Sequence, residues 1–171
     1  RDLVRSRGLG DVYKRQIMSM MPNRKTDANN NGCFSSDFIG RNYAYPGGDY
    51  KTREEIIRAH RIYQLGLLWT LANHPRVPEE VRAEWQQWGL PADEYPGNGH
   101  WTPQLYIREA RRMVSDYVMT QHHCMQESVS AEQPVGMGAY TMDSHHVQRY
   151  VNAAGFVKNE GDVQVGGFSP Y

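Results

Sequence analysis

The chain predicts an α+β fold, with a helical pair in its first half and a sheet in its second. Three observations carry that expectation. Apolar residues recur at helical spacing across 52–74 and 78–88. Alternation of polar and apolar residues takes over after residue 113. No internal repeat or low-complexity tract interrupts this order.

Residues 22–50, rich in Asn, Gly, Asp, Ser and Tyr, read as loop with at most a short helix or strand. Thr52 is a good helix N-cap, and Glu55 three residues on completes a capping box. Ile56, His60, Tyr63, Leu67 and Leu71 then fall on one face. Gly66 inside that helix costs about 1 kcal/mol relative to Ala and suggests close packing there. Pro75 ends the run, and Pro78 opens a second helix as its first residue. Val81, Trp85 and Trp88 form its inner stripe, with Gly89 and Pro91 as the stop. Residues 91–103 read as loop. For 104–112 the state stays open, since Ile107, Ala110, Val114 and Tyr117 fit a helix while 113–120 leans to strand. Residues 135–151 and 156–165 read as strands around a turn at Asn152 to Gly155. The chain divides into a tail at 1–16, a polar loop-rich segment at 17–51, a helical pair at 52–90 and a strand-rich segment at 91–171, all in one incomplete domain.

A length of 171 residues suffices for one domain with a core. With 19 basic and 19 acidic side chains, nothing points to nucleic acid or an anionic membrane as partner. No apolar run approaches the length of a membrane span, and no signal peptide is visible, so the compartment stays unknown. Cys33 and Cys124 form no CxxC pair. Residues 1–16, RDLVRSRGLGDVYKRQ, are similar to translated sequencing-adapter read-through seen in metagenomic assemblies, and are set aside as a non-native tail. That tail takes five of the basic and two of the acidic residues, leaving a mildly acidic body of 14 against 17. Starting at Arg1 and stopping at Ser169-Pro170-Tyr171, the chain reads as an internal fragment.

The densest chemistry lies in Tyr-Thr-Met-Asp-Ser-His-His-Val-Gln-Arg at 140–149. On a strand, alternation puts Asp143, His145 and Arg149 on one face with Thr141 and Val147, near neighbours being about 6.5–7 Å apart. The same alternation demotes His146. A carboxylate, an imidazole and a guanidinium in line suit substrate contact, with His145 as acid or base and Arg149 steadying negative charge. A solvated edge strand or a structural ion pair explains the same pattern. His122, His123 and Cys124 beside Asp143 and His145 do not announce a metal geometry, because adjacent strand side chains point apart. Arg108, Glu109, Arg111 and Arg112 suit carboxylate or phosphate recognition, or a solvated face of weak ion pairs. Asp27, Asn29, Asn30, Ser35, Ser36 and Asp37 suit a polar ligand or a set of turns and caps. Gly8-Leu9-Gly10 and Gly136-Met137-Gly138 both lack the rest of a phosphate-cradling glycine loop.

Six segments taken together resemble one family: KTDANNNGCFSSDFIGRNYAYPGGDY at 25–50, GLLWTLANHPRVPEEVR at 66–82, WGLPADEYP at 88–96, QLYIREARRMVSDYVMT at 104–120, MGAYTMDSHHVQRYV at 137–151 and NEGDVQVGGFSPY at 159–171. This set resembles the bacterial FAD-dependent oxidoreductases of the "FAD-oxidored" type, some of which carry a xanthan lyase label. The resemblance implies a glutathione-reductase-like flavoprotein fold and FAD as cofactor, bound through an N-terminal βαβ fingerprint that this chain lacks. It implies that the chain is the substrate-side part, a mixed or antiparallel sheet with a helical cover, inactive by itself. It further implies that Asp143 and His145 face a flavin ring, with Arg149, Arg112 and Arg108 holding an anionic group of a small-molecule or carbohydrate substrate. A polysaccharide lyase or hydrolase, and a carbohydrate-binding module stacking sugars on its 11 Tyr and four Trp, stand as alternatives.

Overall fold

A computed structural model describes residues 17–29, 36–107, 111, 113–124, 131–136 and 146–161. It divides into two units, Arg1–Arg108 and Glu109–Tyr171. The architecture is mixed α+β, with helices and two small antiparallel sheets.

The first unit opens with a hairpin. Strand β1 (Ile17–Met21) pairs antiparallel with β2 (Lys25–Asn29), Met21 opposite Lys25. Pro22–Arg24 make the turn, closed by the Lys25 N–H donating to the Pro22 carbonyl. Asn23 and Arg24 both take left-handed backbone, φ 63° and 59°. Asn tolerates that conformation through its short polar side chain, whereas for Arg it is strained. The loop-rich reading of 22–50 therefore holds a strand at its start, and Asp27 and Asn29 belong to that strand.

Helix α1 (Tyr50–Asn73) is the longest element. Its N-cap is Asp49, not Thr52: the Asp49 carboxylate accepts the Thr52 N–H at 2.8 Å, placing Thr52 inside the first turn. The bond to that N–H holds the Asp49 carboxyl below the usual carboxylate range. The chain entering α1 is tied down by Arg53, which donates to the carbonyls of Tyr45 and Pro46 at 3.0 and 2.9 Å. The helix stops before Pro75, as the missing N–H there requires, with the His74 N–H closing on Thr70.

The apolar face runs as the spacing predicts: His60 and Leu71 are buried, and Ile56, Tyr63 and Leu67 are half-buried. Phe38 covers its upper part, stacked on Tyr63 at 4.3 Å and edge-on to His60 at 5.2 Å. Gly66 lies on the exposed side, where an added Cβ meets nothing within 4 Å, so the expected close packing does not occur.

Helix α2 (Glu79–Trp85) begins one residue after Pro78, which serves as its N-cap. Glu79 and Glu80 put negative charge at the positive helix end. Leu71, Val77, Val81 and Trp85 form the buried core, flanked by Leu67, Leu68 and Ala72. Each such side chain contributes about 1.5–3 kcal/mol on leaving water. Gln86 donates to the Ala72 carbonyl at 2.8 Å and locks the two helices at their polar edge. Trp88 lies beyond the helix end and is half-buried.

In the second unit α3 is a single turn (Gln121–Cys124), and β3 (Gln148–Val151) pairs antiparallel with β4 (Val157–Glu160). The turn at 152–155 forms as its sequence predicts. The Asn152 side-chain oxygen accepts the N–H groups of Ala154 and Phe156, and Gly155 takes φ 82°. The strands are shorter than alternation suggests. Residues 135, 136, 146 and 147 lie outside any strand, as does Gly161. Residues 113–120 form no strand either; they are exposed throughout, Val114 completely. Alternation stabilises a strand only through a partner and a buried face, and among the described residues 113–120 has neither.

Candidate functional site

The described part of the 140–149 motif is the lead-in to the β3–β4 hairpin. Asp143 and His145 lie outside the described residues, as do Arg108 and Arg112. Arg149 stands in β3 opposite Asn159, and its Nε donates to the Asn159 side-chain oxygen at 2.8 Å. The ladder register therefore gives Arg149 a cross-strand partner. Tyr150 donates its hydroxyl to Glu160 at 2.8 Å, and that bond together with the Glu160 charge raises the Tyr150 phenol above its ordinary value. Tyr150, Asn159 and Glu160 escape a reading of the motif alone. The signal that finds them is the four-residue turn, which fixes 149 against 159.

The open end of the hairpin is fixed tightly. The Val147 N–H donates to the Glu160 carbonyl at 2.8 Å. Gly161 follows at φ 89°, so close that a Cβ there would sit 2.2 Å from the Val147 Cγ2. Only glycine fits that place. Val147 is thus held from two sides, and the residue before it, His146, is carried on a fixed backbone. The His146 Nδ1 is enclosed by protein and has no hydrogen-bond partner among the described residues. Because β3 begins at Gln148, strand alternation does not extend through 146 and 147. The demotion of His146 by alternation loses its premise there.

A second histidine is fully engaged. The Thr120 N–H donates to the His123 Nδ1 at 3.0 Å, so that nitrogen accepts and the proton of the neutral ring resides on Nε2. Nε2 then donates to the Tyr117 oxygen. Among the described residues no group of three His, Cys, Asp or Glu side chains is placed to hold a metal ion.

The first unit has an open cleft of about 720 Å³ between the β1–β2 turn and residues 87–94, lined by Met20, Arg24, Lys25, Trp88, Leu90 and Asp93 among others. Lys25 donates to Asp93 and, at 2.9 Å, to Glu94. The bond to Asp93 foremost raises the Lys25 ammonium, and the same bond lowers the Asp93 carboxyl. Asp93 and Glu94 are largely exposed, so this triad adds little stability. Its chemical effect is to neutralise the lysine, leaving the cleft polar but close to uncharged.

A family model described as FAD dependent oxidoreductase matches residues 2–171. No curated protein and no solved structure matches the chain significantly. The described residues do not make the strand–glycine loop–helix unit that cradles an FAD pyrophosphate. The turn after β1 is Pro-Asn-Arg and leads to another strand. The N-terminus of α1, preceded by Gly47 and Gly48, is already occupied by the Asp49 carboxylate, which repels a second anion.

Proposed function

Because the chain belongs to the FAD-dependent oxidoreductase family, we propose that it forms the substrate-side portion of its enzyme, which transfers hydride from a small, carbohydrate-like substrate to flavin. The observation that carries this reading is the extent of the family match, residues 2–171, joined to the described residues' lack of a pyrophosphate cradle. A chain that belongs to a flavin family and presents helices and short antiparallel hairpins suits the part of a glutathione-reductase-like fold that covers the substrate.

In this reading His145 takes a proton from substrate, Asp143 orients its ring, and Arg149, Arg112 and Arg108 receive an anionic group. Arg149 is the one of these within the described residues. Its Nε bond to Asn159 fixes the guanidinium plane, which is what a bidentate contact to a carboxylate needs.

The test is spectroscopic. A full-length family enzyme carrying this segment shows bound-flavin absorbance, and substrate bleaches it anaerobically. A colourless protein that cleaves polysaccharide overturns the reading in favour of a lyase or hydrolase.

A further inference from the structure

We infer that the open cleft between the β1–β2 turn and residues 87–94 binds a small aromatic carboxylate, with its charge on Arg24 and its ring against Trp88. The cleft lies wholly within the first unit, and every residue lining it is described. Its volume of about 720 Å³ falls within the range of about 300–1,000 Å³ common to small-molecule sites. Four charged side chains line it: Arg24, Lys25, Asp93 and Glu94. Lys25 donates to both carboxylates and ties the turn to the opposite wall, across 68 and 69 positions of sequence. Arg24 is left as the cation of the cleft that no described residue pairs.

Arg24 also sits on costly backbone. Its φ of 59° is left-handed, a conformation that glycine takes freely and arginine does not. Strain of this kind persists at ligand clamps, where the side chain is needed in one place. The apolar part of the lining is equally open. Trp88 is half-buried, while Leu90 is 41% and Met20 64% exposed. Three apolar side chains and one unpaired guanidinium thus share a single space. The ligand chemistry follows from that combination. A guanidinium receives a carboxylate through two parallel N–H donors. An indole and a thioether both favour an aromatic ring. A neutral ligand leaves Arg24 unpaired, and an acid without a ring leaves Trp88 and Met20 uncovered. A dianion such as phosphate meets the nearby charges of Asp93 and Glu94, two carboxylates that share one lysine.

The experiment is a titration of the full chain, labelled with ¹⁵N in its tryptophan indoles, with sodium benzoate. Trp85, buried in the core, and Trp69, exposed on α1, serve as internal controls. The expected result is a saturable shift of the Trp88 indole signal at least several-fold larger than theirs. Benzyl alcohol, which lacks the charge, and acetate, which lacks the ring, each bind at least about tenfold more weakly, the worth of one charge-assisted hydrogen bond or one buried ring. Arg24→Gly removes the guanidinium and relieves the left-handed strain. Its benzoate affinity falls to that of benzyl alcohol, and its melting temperature equals or exceeds the parent's. A Trp88 signal that moves no more than the controls overturns the inference, as does benzoate binding undiminished in Arg24→Gly. Benzyl alcohol or inorganic phosphate binding as tightly as benzoate also overturns it. So does an Arg24→Gly protein that melts well below the parent, since the guanidinium then serves the fold. The titration involves no flavin, so its outcome is separate from that of the family-based reading.

Discussion

The helical pair and the β3–β4 hairpin treat the same side chain in opposite ways. In α1, His60 is buried, donates to a backbone carbonyl one turn back and takes the edge of Phe38. At the hairpin, His146 presents an enclosed nitrogen that none of the described residues meets. The first region spends its polar groups on itself and buries Leu71, Val77, Val81 and Trp85 together. The second is exposed along both strands except at the half-buried Arg149, and its side chains bond across the ladder at Arg149–Asn159 and Tyr150–Glu160. The buried apolar core lies in the one, and we propose that a ligand meets the other. Proteins commonly divide their labour this way, because a functional group left ready for a ligand is a stability cost.

The comparison breaks most visibly in the core. Trp85→Ala should destabilise the helical pair by about 3–5 kcal/mol, read by chemical denaturation. A loss under about 1 kcal/mol, the range of ordinary surface substitutions and volume-conserving swaps, would show that the α1–α2 interface is not the stabilising region.

A smaller and local effect is expected at the hairpin. Gly161→Ala places a methyl 2.2 Å from the Val147 side chain and strains a backbone at φ 89°. Hydrogen exchange should accelerate at the Val147 amide and leave the amides of α1 unchanged. Unchanged exchange at the Val147 amide would contradict the close approach of Gly161 to Val147.

Gly66→Ala sharpens the comparison in the other direction. Gly66 is exposed in mid-helix with nothing within 4 Å of an added Cβ. The substitution should stabilise α1 by up to about 1 kcal/mol, seen as a higher denaturation midpoint. A fall in the midpoint would mean that the exposed face of α1 has a covering partner.

The smallest effect concerns the α1 cap. The Asp49 carboxyl has a lower pKa in the folded chain than in the unfolded one, because the charged form accepts the Thr52 N–H. Its contribution is therefore present above the unfolded carboxylate pKa and disappears as the pH falls through the lowered folded value. Asp49→Ala should reduce helix stability at neutral pH and make no difference in strong acid. An equal loss at both pH values would assign the effect to something other than the charge.

Much of the helical pair is legible in the sequence, because 3.6-residue periodicity, Pro75 and Pro78 act locally. The cap is Asp49, three residues before the Thr52 that the sequence favours. Thr52 and Asp49 are both good caps, and the Thr52 N–H decides between them by donating to the Asp49 carboxylate. The turn at 152–155 is legible for the same local reason, through Asn152 and Gly155. Strand extent is not local. Residues 113–120 alternate but find no ladder among the described residues, and β3 stops at Gln148 rather than reaching back toward 135. The β1–β2 hairpin is not legible in the sequence, because its turn, Pro-Asn-Arg, contains no glycine and bends through strained backbone. Of the candidate site, Arg149 is in place with a partner that only the register reveals, while the cleft beside Lys25 depends on residues far apart in sequence. FAD is implied by the resemblance and by the family match alike; no glycine pattern in the chain announces it.

We propose that this chain supplies the substrate side of a flavin oxidoreductase, with His145 as its proton acceptor. Anaerobic bleaching of flavin by substrate in a full-length family enzyme carrying this segment tests that assignment most directly. His145→Ala should slow bleaching about 10²–10⁴-fold with the flavin content unchanged. Bleaching of that variant at the parent rate would contradict the claim.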